Sequence, residues 1–580
     1  MSLKNVKNHP SRSGFDLSKR NLFTSKCGEL LPIYCKELIP GDKLEIDVQH
    51  ITRTAPVNTA AFTRIREYFD FFFVRTDLLW DKFGAFIAQT NDALQAASIN
   101  TKAQLGDTHP YFTQEQIDNY LHYLPQTADN DKSIFGQRRS VLTCRLLELL
   151  GYGQYYDQPN DSFISHRENV ALNPFPLLAY QKIYQDYFRN SQWEDSAPWC
   201  CNLNYINPSL STASMQMDIN DYTLSNSYNM FDLRYCNWNK DYFMGLLPNS
   251  QFGDAASCFV YGTGMYGSDS SHTGTPLSLL TSDDASVIET FKSLGVDTSI
   301  FNAYGYTIPY TAPISMLSIL SLRQAEAYQK WREITQASQK DYKSQMEAHF
   351  GVKMSDAYSS RCKFIDGVVN NLDISEVTNT NLTEGSEARL AGKGVGTGQG
   401  KINFSTEVHG YIMCIYHAVP VMDYSITGIQ RQNLKTLVTD YAIPEFDKTG
   451  MVQVPFVELC NTYLGQATLN EGQLLGYAPR YIDYKTDIDV INGNFRFGDE
   501  AWVTPFDNDY IVNFINNTVD TVRPYEDLNM NYIFFKVNPS ILDPIFLVSA
   551  DDKYSSDQFK TNAYFNVKAT RNLDYNGLPY

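Results

Sequence analysis

Residues 64–74 read RIREYFDFFFV. Aromatics crowd the stretch, and it reads as a β-strand covered on both faces. Just upstream, Leu44, Ile46 and Val48 alternate with Glu45 and Asp47. That period of two marks a strand with one buried face. Downstream, Asp77 opens LLWDKFGAFI, where Leu78, Leu79, Lys82, Phe83, Phe86 and Ile87 recur at helical spacing. LTCRLLELL (142–150) reads as another helix, stopped by Gly151.

Strand signals return after about residue 361, in Val408–Val419, Tyr532–Val537, Ile545–Val548 and Ala563–Ala569. Residues 202–230 and 262–310 are rich in Ser, Thr, Asn, Asp, Gly and Tyr and read as long surface excursions. The clearest helix follows them. Ser321 and Gln324 match a capping box. Leu322, Ala325, Tyr328, Trp331 and Ile334 then repeat at spacing three, and Tyr342, Met346 and Phe350 at spacing four, up to Gly351. Such a helix must bury its apolar stripe on its own body or on a neighbour. Strands at both ends of the chain, parted by long insertions, predict one antiparallel β-domain instead of separate beads.

Composition narrows the class. The chain has 580 residues, more than one ordinary core of roughly 100–200. With 19% charged and 43% hydrophobic residues it is not a disordered polyelectrolyte. It carries 39 Tyr, 34 Phe and 6 Trp, a surplus that suits strands and also surfaces buried against partners. No apolar run reaches the roughly 18 residues of a membrane helix, so no membrane insertion is expected. The first twenty residues lack the apolar core of a signal peptide. Ten cysteines without a C-x-x-C pair suit neither a zinc ribbon nor a disulfide framework, and read as reduced thiols of a chain folded in cytoplasm.

The net charge of −18 is unevenly spread. Residues 1–26 carry six cations against Asp16, a net +5, which leaves −23 for the rest. Lys4, Lys7, Arg12, Lys19 and Arg20, interleaved with Phe15, are the nucleic-acid-binding candidates: cations for phosphates, an aromatic for a base. Any basic tail would look similar, and a solvated terminus is the plainer reading of the same residues.

Other motifs carry less chemistry. RLAGKGVGTGQG (389–400) has glycine at every second position, but no Ser or Thr follows Lys393, so it is not a phosphate loop. A flexible or tightly approached backbone is the expectation there. His409 and His417 would stand roughly 27 Å apart on a strand, too far for one metal. They read as structural. Asp487/Asp489, Asp507/Asp509 and Asp551/Asp552 do not complete an EF-hand, although calcium held by converging loops stays open. No cofactor is expected. No catalytic constellation with a local signature is present, so no enzyme is predicted.

Several longer runs are familiar together. NTAAFTRIREYFDFFFVRTDLLWDKF (58–83), NPFPLLAYQKIYQDYFRNSQWE (173–194), DLRYCNWNKDYFMGLLPNSQFGD (232–254), LRQAEAYQKWREITQ (322–336), ISEVTNTN (374–381), HGYIMCIYHAVPVMDY (409–424) and FNVKATRNLDYNGLPY (565–580) resemble the major capsid proteins of the Microviridae, gokushovirus-like branch. The resemblance implies an eight-stranded antiparallel jelly-roll barrel with long loop insertions and a few helices. It implies self-assembly into a T=1 icosahedral shell around circular single-stranded DNA, in a virion assembled in the host cytoplasm. It also implies as partners a small basic DNA-binding protein, a pilot protein and a host cell-surface receptor met by outer loops.

On this reading residues 1–42 are a basic arm and lead-in. Residues 43–201 are the first part of the barrel, and 202–310 are insertions around a core block at 231–254. A helical segment follows at 311–360, then the rest of the barrel at 361–580. The excursions at 202–230 and 262–310 are candidates for a threefold protrusion. Tyr180, Tyr184, Tyr187, Phe188, Trp193, Trp238, Tyr242 and Trp331 are candidate subunit-interface residues. A glycan-binding jelly-roll lectin and a β-rich hydrolase are the alternatives. A signal peptide would favour the first and a catalytic dyad the second.

Overall fold

The structure, a computed structural model, describes residues 11–57, 61–88, 108–126, 131–157, 160–206, 215–217, 229–253, 319–355, 359–378, 390–425, 428–461, 474–496, 498–506, 532–546 and 557–575. Two units are present. One comprises Met1–Pro248, Asp341–Lys343 and Met354–Tyr580, the other Asn249–Lys340 and Ser344–Lys353.

The first unit is built on antiparallel strands: β1 (Ser13–Asp16), β2 (Lys19–Ser25), β3 (Leu31–Leu38), β4 (Lys43–Thr54), β5 (Ile65–Arg75), β6 (Lys363–Thr378), β7 (Leu390–Ser405), β8 (Gly410–Pro420) and β9 (Phe559–Arg571). β1 and β2 lie end to end along β9 and act as one broken edge strand. Eight strands then form two layers, β2-β9-β4-β7 and β3-β8-β5-β6. Neighbours in space are mostly not neighbours in sequence. This is the Greek-key order of the expected jelly roll.

The layers are joined at one corner. Asp373–Thr378 of β6 pair with Leu390–Val395 of β7, while the rest of β6 follows β5 and the rest of β7 follows β4. The glycines quoted above make this corner possible. Gly394, Gly396, Gly398 and Gly400 hold inward positions of β7. A Cβ there would run into Thr54 and Leu372, Glu67, Asn370 and Val368 respectively. The alternate residues Lys393, Val395, Thr397 and Gln399 are exposed. The run is therefore a strand, and its glycines mark close approach of the facing layer. On the opposite side the layers meet through side chains. Asn21 Nδ2 donates to the Ile33 carbonyl at 2.7 Å, and Tyr34 lies 5.0 Å from Phe565.

Between the layers sit Leu44, Ile46 and Val48, Phe69, Phe71 and Phe73, and Phe565 and Val567. Two long insertions leave the barrel, one between β5 and β6 and one between β8 and β9. The first carries helices α1 (Gln114–Tyr123), α2 (Arg139–Leu150) and α3 (Phe175–Ile183). Thr113 and Gln116 cap α1 reciprocally, and left-handed Gly151 stops α2. α2 packs on β3, and α3 on β5 and β8. In consequence β8 is buried at every position, whereas β4 and β9 alternate buried with exposed.

Some elements differ from expectation. The helix opened at Asp77 is two short pieces, Thr76–Leu79 and Phe83–Ala88, parted at the extended, buried Trp80. Tyr532–Phe535 is a 3-10 turn in place of a strand. Phe534 and Phe535 are both buried there, and Pro539 opens a second 3-10 turn just beyond. Ile545 and Phe546 lie in a turn that bridges to Val57, and 547–548 fall outside the described residues. In the second unit the helix runs as α4 (Ile319–Ala337). It starts before Ser321, so that residue is not its cap. The Ser338 hydroxyl donates to the Ile334 carbonyl and closes the last turn of α4. A second helix, α5 (Tyr342–Phe350), ends at left-handed Gly351.

Under the insertion layer, Asp70 of β5 faces His417 of β8 at 4.0 Å. Tyr68 stacks on the imidazole at 4.7 Å and Phe188 meets its edge at 5.2 Å. Burial pushes the Asp70 carboxyl up to about 7 and the His417 imidazole down to about 3. In the fold the proton thus sits on the carboxyl; in the unfolded chain near pH 5 it sits on the imidazole.

Two predictions follow from this packing. Gly398→Val forces the corner apart and costs roughly 1–3 kcal/mol or more, whereas Thr397→Val, on the exposed face, stays within about 0.5 kcal/mol. Equal melting temperatures for the two variants would refute the close-approach reading. For the buried pair, folded and unfolded states hold the same number of protons between about pH 4 and 6.5, so the two contributions cancel. Asp70→Asn leaves the depressed His417 alone, and stability relative to wild type then falls as pH drops from about 7 towards 3.8. His417→Gln leaves the raised Asp70 alone. That contribution is full below about pH 3.8 and is lost as pH rises to 7. Melting temperature against pH reads both slopes, and curves parallel to wild type would sink the pairing.

Candidate nucleic-acid interface

The layer β2-β9-β4-β7 has no helix over it among the described residues. Its register fixes which side chains share the outward face. Arg53 of β4 lies opposite Lys560 of β9 and Val395 of β7; Glu45 lies opposite Lys568 and Asn403; Asp47 lies opposite Lys401. Arg20 of β2 lies opposite Tyr564, and Asp16 of β1 opposite Lys568. The outward positions therefore carry Arg20, Lys43, Arg53, Lys393, Lys401, Lys560 and Lys568 against Asp16, Glu45 and Asp47. Every one of these cations is exposed.

Part of the charge is internally matched. Lys568 Nζ lies 2.5 Å from Asp16 Oδ2, and with Ser18 it holds that carboxyl well below the usual range. Lys401 stands 3.6 Å from Glu45. Exposed pairs of this kind contribute little to stability. Tyr564 and Leu22 stand exposed among the cations. A basic sheet surface with an exposed aromatic ring among its cations suits a polyanion that carries stacking bases.

The sequence candidates divide across this geometry. Lys4 and Lys7 lie outside the described residues. Arg12 is exposed and donates to the Gly41 carbonyl at 2.9 Å. Residues 13–16 and 19–25 of the presumed arm are strands, because their alternating residues dock on β9. Lys19 and Arg20 are adjacent on one strand and so point to opposite faces. Arg20 joins the cationic face, its Nε donating to Asn562 Oδ1 at 2.9 Å. Phe15 points the other way and stacks on Tyr575 at 6.0 Å.

The aromatic candidates also separate. Tyr180, Tyr184, Trp238 and Tyr242 are buried inside the subunit. Tyr180 donates to the Leu30 carbonyl at 2.9 Å and Tyr184 to Glu194 at 2.5 Å, and Tyr242 bonds Glu458. Their surface is spent within their own chain. Phe188 and Trp193 are half-buried, the latter donating to the Leu246 carbonyl at 2.8 Å. Tyr187 remains partly exposed beneath Arg361, and Trp331 of α4 is 44% exposed.

One apolar surface went unread in the sequence. In the second insertion Leu437 and Val438 are 63% and 78% exposed, with Tyr441 and Tyr484 exposed beside them. Ion pairs hold this tip: Lys435 with Asp483, and Lys485 with Asp447 at 2.6 Å. The signal was present in KTLVTDYAIPEF (435–446), an apolar run too short and irregular for helix or strand. Elsewhere Asp489 pairs with Arg64 at 2.6 Å. Asp507, Asp509, Asp551 and Asp552 lie outside the described residues, as do most of 202–230 and all of 262–310.

Two comparisons with known proteins bear on this arrangement. The family model described as capsid protein (F protein) matches residues 4–160 and 151–579. The capsid protein VP1 of Chlamydia phage 1 is 22% identical over 550 residues, covering 84% of both chains. The capsid protein VP1 of Bdellovibrio phage phiMH2K is 24% identical over 514 residues, covering 84% of this chain and 83% of its own.

Proposed function

Because this chain belongs to the capsid protein (F protein) family of the Microviridae, as a major capsid protein of the gokushovirus-like branch, we propose that it closes into a T=1 shell with the bare, basic sheet face turned towards circular single-stranded DNA. The observation that carries this reading is the asymmetry of the jelly roll. One layer is covered by its own insertion; the other has no such cover among the described residues and holds seven cations against three carboxylates at its outward positions.

Assembly follows from what the subunit leaves exposed. Leu437, Val438 and Tyr441, with Leu322, Tyr328 and Trp331 of α4, are exposed apolar groups among the described residues. Burying a large apolar side chain between copies stabilises by about 1.5–3 kcal/mol. Closed symmetry then stops growth. Arg12, Arg20 and the sheet cations neutralise genome phosphates, and a small basic DNA-binding protein supplements them. A pilot protein completes the particle, and assembly takes place in the host cytoplasm. The tips of 202–230 and 262–310 face outward and meet the host receptor.

Expressed alone, the chain is expected to give uniform closed shells in electron micrographs; monodisperse monomers would refute self-assembly. Arg53→Glu, Lys401→Glu and Lys560→Glu together keep the shells, since all three side chains are exposed. They lower the salt slope of single-stranded DNA binding by about 2, from roughly 0.7 per phosphate contact. An unchanged slope would move the genome to another face. Exchanging the tips of 202–230 and 262–310 for those of a relative is expected to redirect attachment to that relative's host. Attachment that stays as before would exclude them as the receptor contact.

A further inference from the structure

The register of the layer β2-β9-β4-β7 places four exposed side chains in one row across it. They are Gln399 of β7, Gln49 of β4, Tyr564 of β9 and Arg20 of β2. Neighbouring strands stand roughly 4.8 Å apart, so Gln49 and Arg20 flank Tyr564 at about that spacing. The row holds two amides, one aromatic ring and one cation, and no carboxylate. Tyr564 is 43% exposed, and neither face of its ring meets another ring or a cation among the described residues.

The two amides are oriented by one carboxylate. Gln49 Nε2 donates to Asp47 Oδ2 at 3.3 Å, and Gln399 Nε2 donates to Asp47 Oδ1 at 3.4 Å. An ionised carboxylate only accepts, so the amino end of each amide must face it. Each Oε1 is then the end left over, and no protein donor meets either oxygen among the described residues. The result is a pair of neighbouring acceptors beside the phenol ring.

Arg20 is tethered as well. Its Nε donates to Asn562 Oδ1 at 2.9 Å, one row along the sheet. The terminal guanidinium nitrogens remain for a phosphate, on the side of the ring away from the amides. Across the row the order is acceptors, ring, cation. A nucleotide has the matching order: the hydrogen-bonding edge of the base, its flat face, and the phosphate beyond the sugar.

We propose that Tyr564 is the stacking platform for one base of a single strand, with Arg20 on the phosphate and Oε1 of Gln49 and Gln399 on the edge of the base. The proposal rests on the reading that this face meets single-stranded DNA, and it adds a base preference to a surface otherwise sensitive to charge alone. Cytosine presents an N4 amino donor where thymine presents the O4 acceptor. Two acceptors on the protein attract the first and repel the second. The two pyrimidines are of similar size, so the comparison isolates the edge from the stack.

The test is fluorescence anisotropy of the full chain, mixed before shells close with labelled oligodeoxycytidylate or oligothymidylate of about ten nucleotides. A slightly alkaline buffer keeps cytosine unprotonated. The cytidylate is expected to bind about fivefold more tightly, the difference made by one neutral hydrogen bond. Gln49→Met erases that preference by weakening the cytidylate alone. Tyr564→Ala weakens both oligonucleotides about tenfold, the loss of one base stack. It leaves the salt slope as it was, because no charge is removed. Tyr564→Phe binds as wild type. Equal affinity for the two oligonucleotides, or full affinity in Tyr564→Ala, would overturn the proposal. If the combined Arg53→Glu, Lys401→Glu and Lys560→Glu variant still lowers the salt slope, that result sinks the base subsite alone; if the slope does not move, the reading of the whole face falls with it.

Discussion

The jelly roll depends on the crossing of β6 and β7 from one layer to the other. A sheet that turns over on itself brings two backbones close at the corner, and side chains there must be absent on one strand. Four inward glycines supply that absence. Their cost in strand propensity is offset because Leu372, Glu67, Asn370 and Val368 fill the space a Cβ would have taken. The same gap admits a polar group into the barrel. Glu67 accepts a hydrogen bond from Tyr416 at 2.8 Å and stands 3.7 Å from His50, with both of the latter pair fully buried. Polar groups at such depth are costly without partners; Tyr416 supplies one for Glu67 and so links β8 to β5, while Glu67 Oε2 and His50 Nδ1 have no hydrogen-bond partner among the described residues.

Closure at the corner also sets the difference between the two layers. With β6 following β5, the chain enters the corner on the side where the first insertion has already packed α2 and α3. That layer becomes a buried sheet between barrel core and helices, and its strands need apolar residues on both faces. β8 and the end of β5 meet this need. The other layer receives no such cover among the described residues, so β4 and β9 keep polar outward positions. Which face is left for partners is therefore decided inside the subunit, by where its own insertion lies down.

The sequence showed the strands because period and density are local properties. Leu44, Ile46 and Val48 announced a one-sided strand, and RIREYFDFFFV a two-sided one, and both stand. RLAGKGVGTGQG hid its strand because glycine argues against one; its spacing of two was the better signal. The fate of aromatics was not legible. Tyr180 and Trp331 look alike as apolar positions, yet one donates within its own core and the other stands exposed. Periodicity records that a side chain will be covered and says nothing of which chain covers it. The cationic face was equally hidden, since its residues lie on four strands spread from residue 20 to residue 568. Only the register collects them, and the N-terminal cluster drew attention because it was contiguous.

Net charge is the wrong quantity for this chain, and screening says why. At physiological ionic strength the Debye length is about 8 Å. Packed sheets stand about 10 Å apart, and here a helical layer is added on one side. Carboxylates beyond the covered layer are thus more than a Debye length from a polyanion resting on the bare one. The −18 of the whole chain is felt only far away, as a mild repulsion that salt removes. At contact the polyanion meets the local balance of β2, β9, β4 and β7, which is positive. An acidic chain can in this way present one locally positive face, and that polarity comes from topology before it comes from composition.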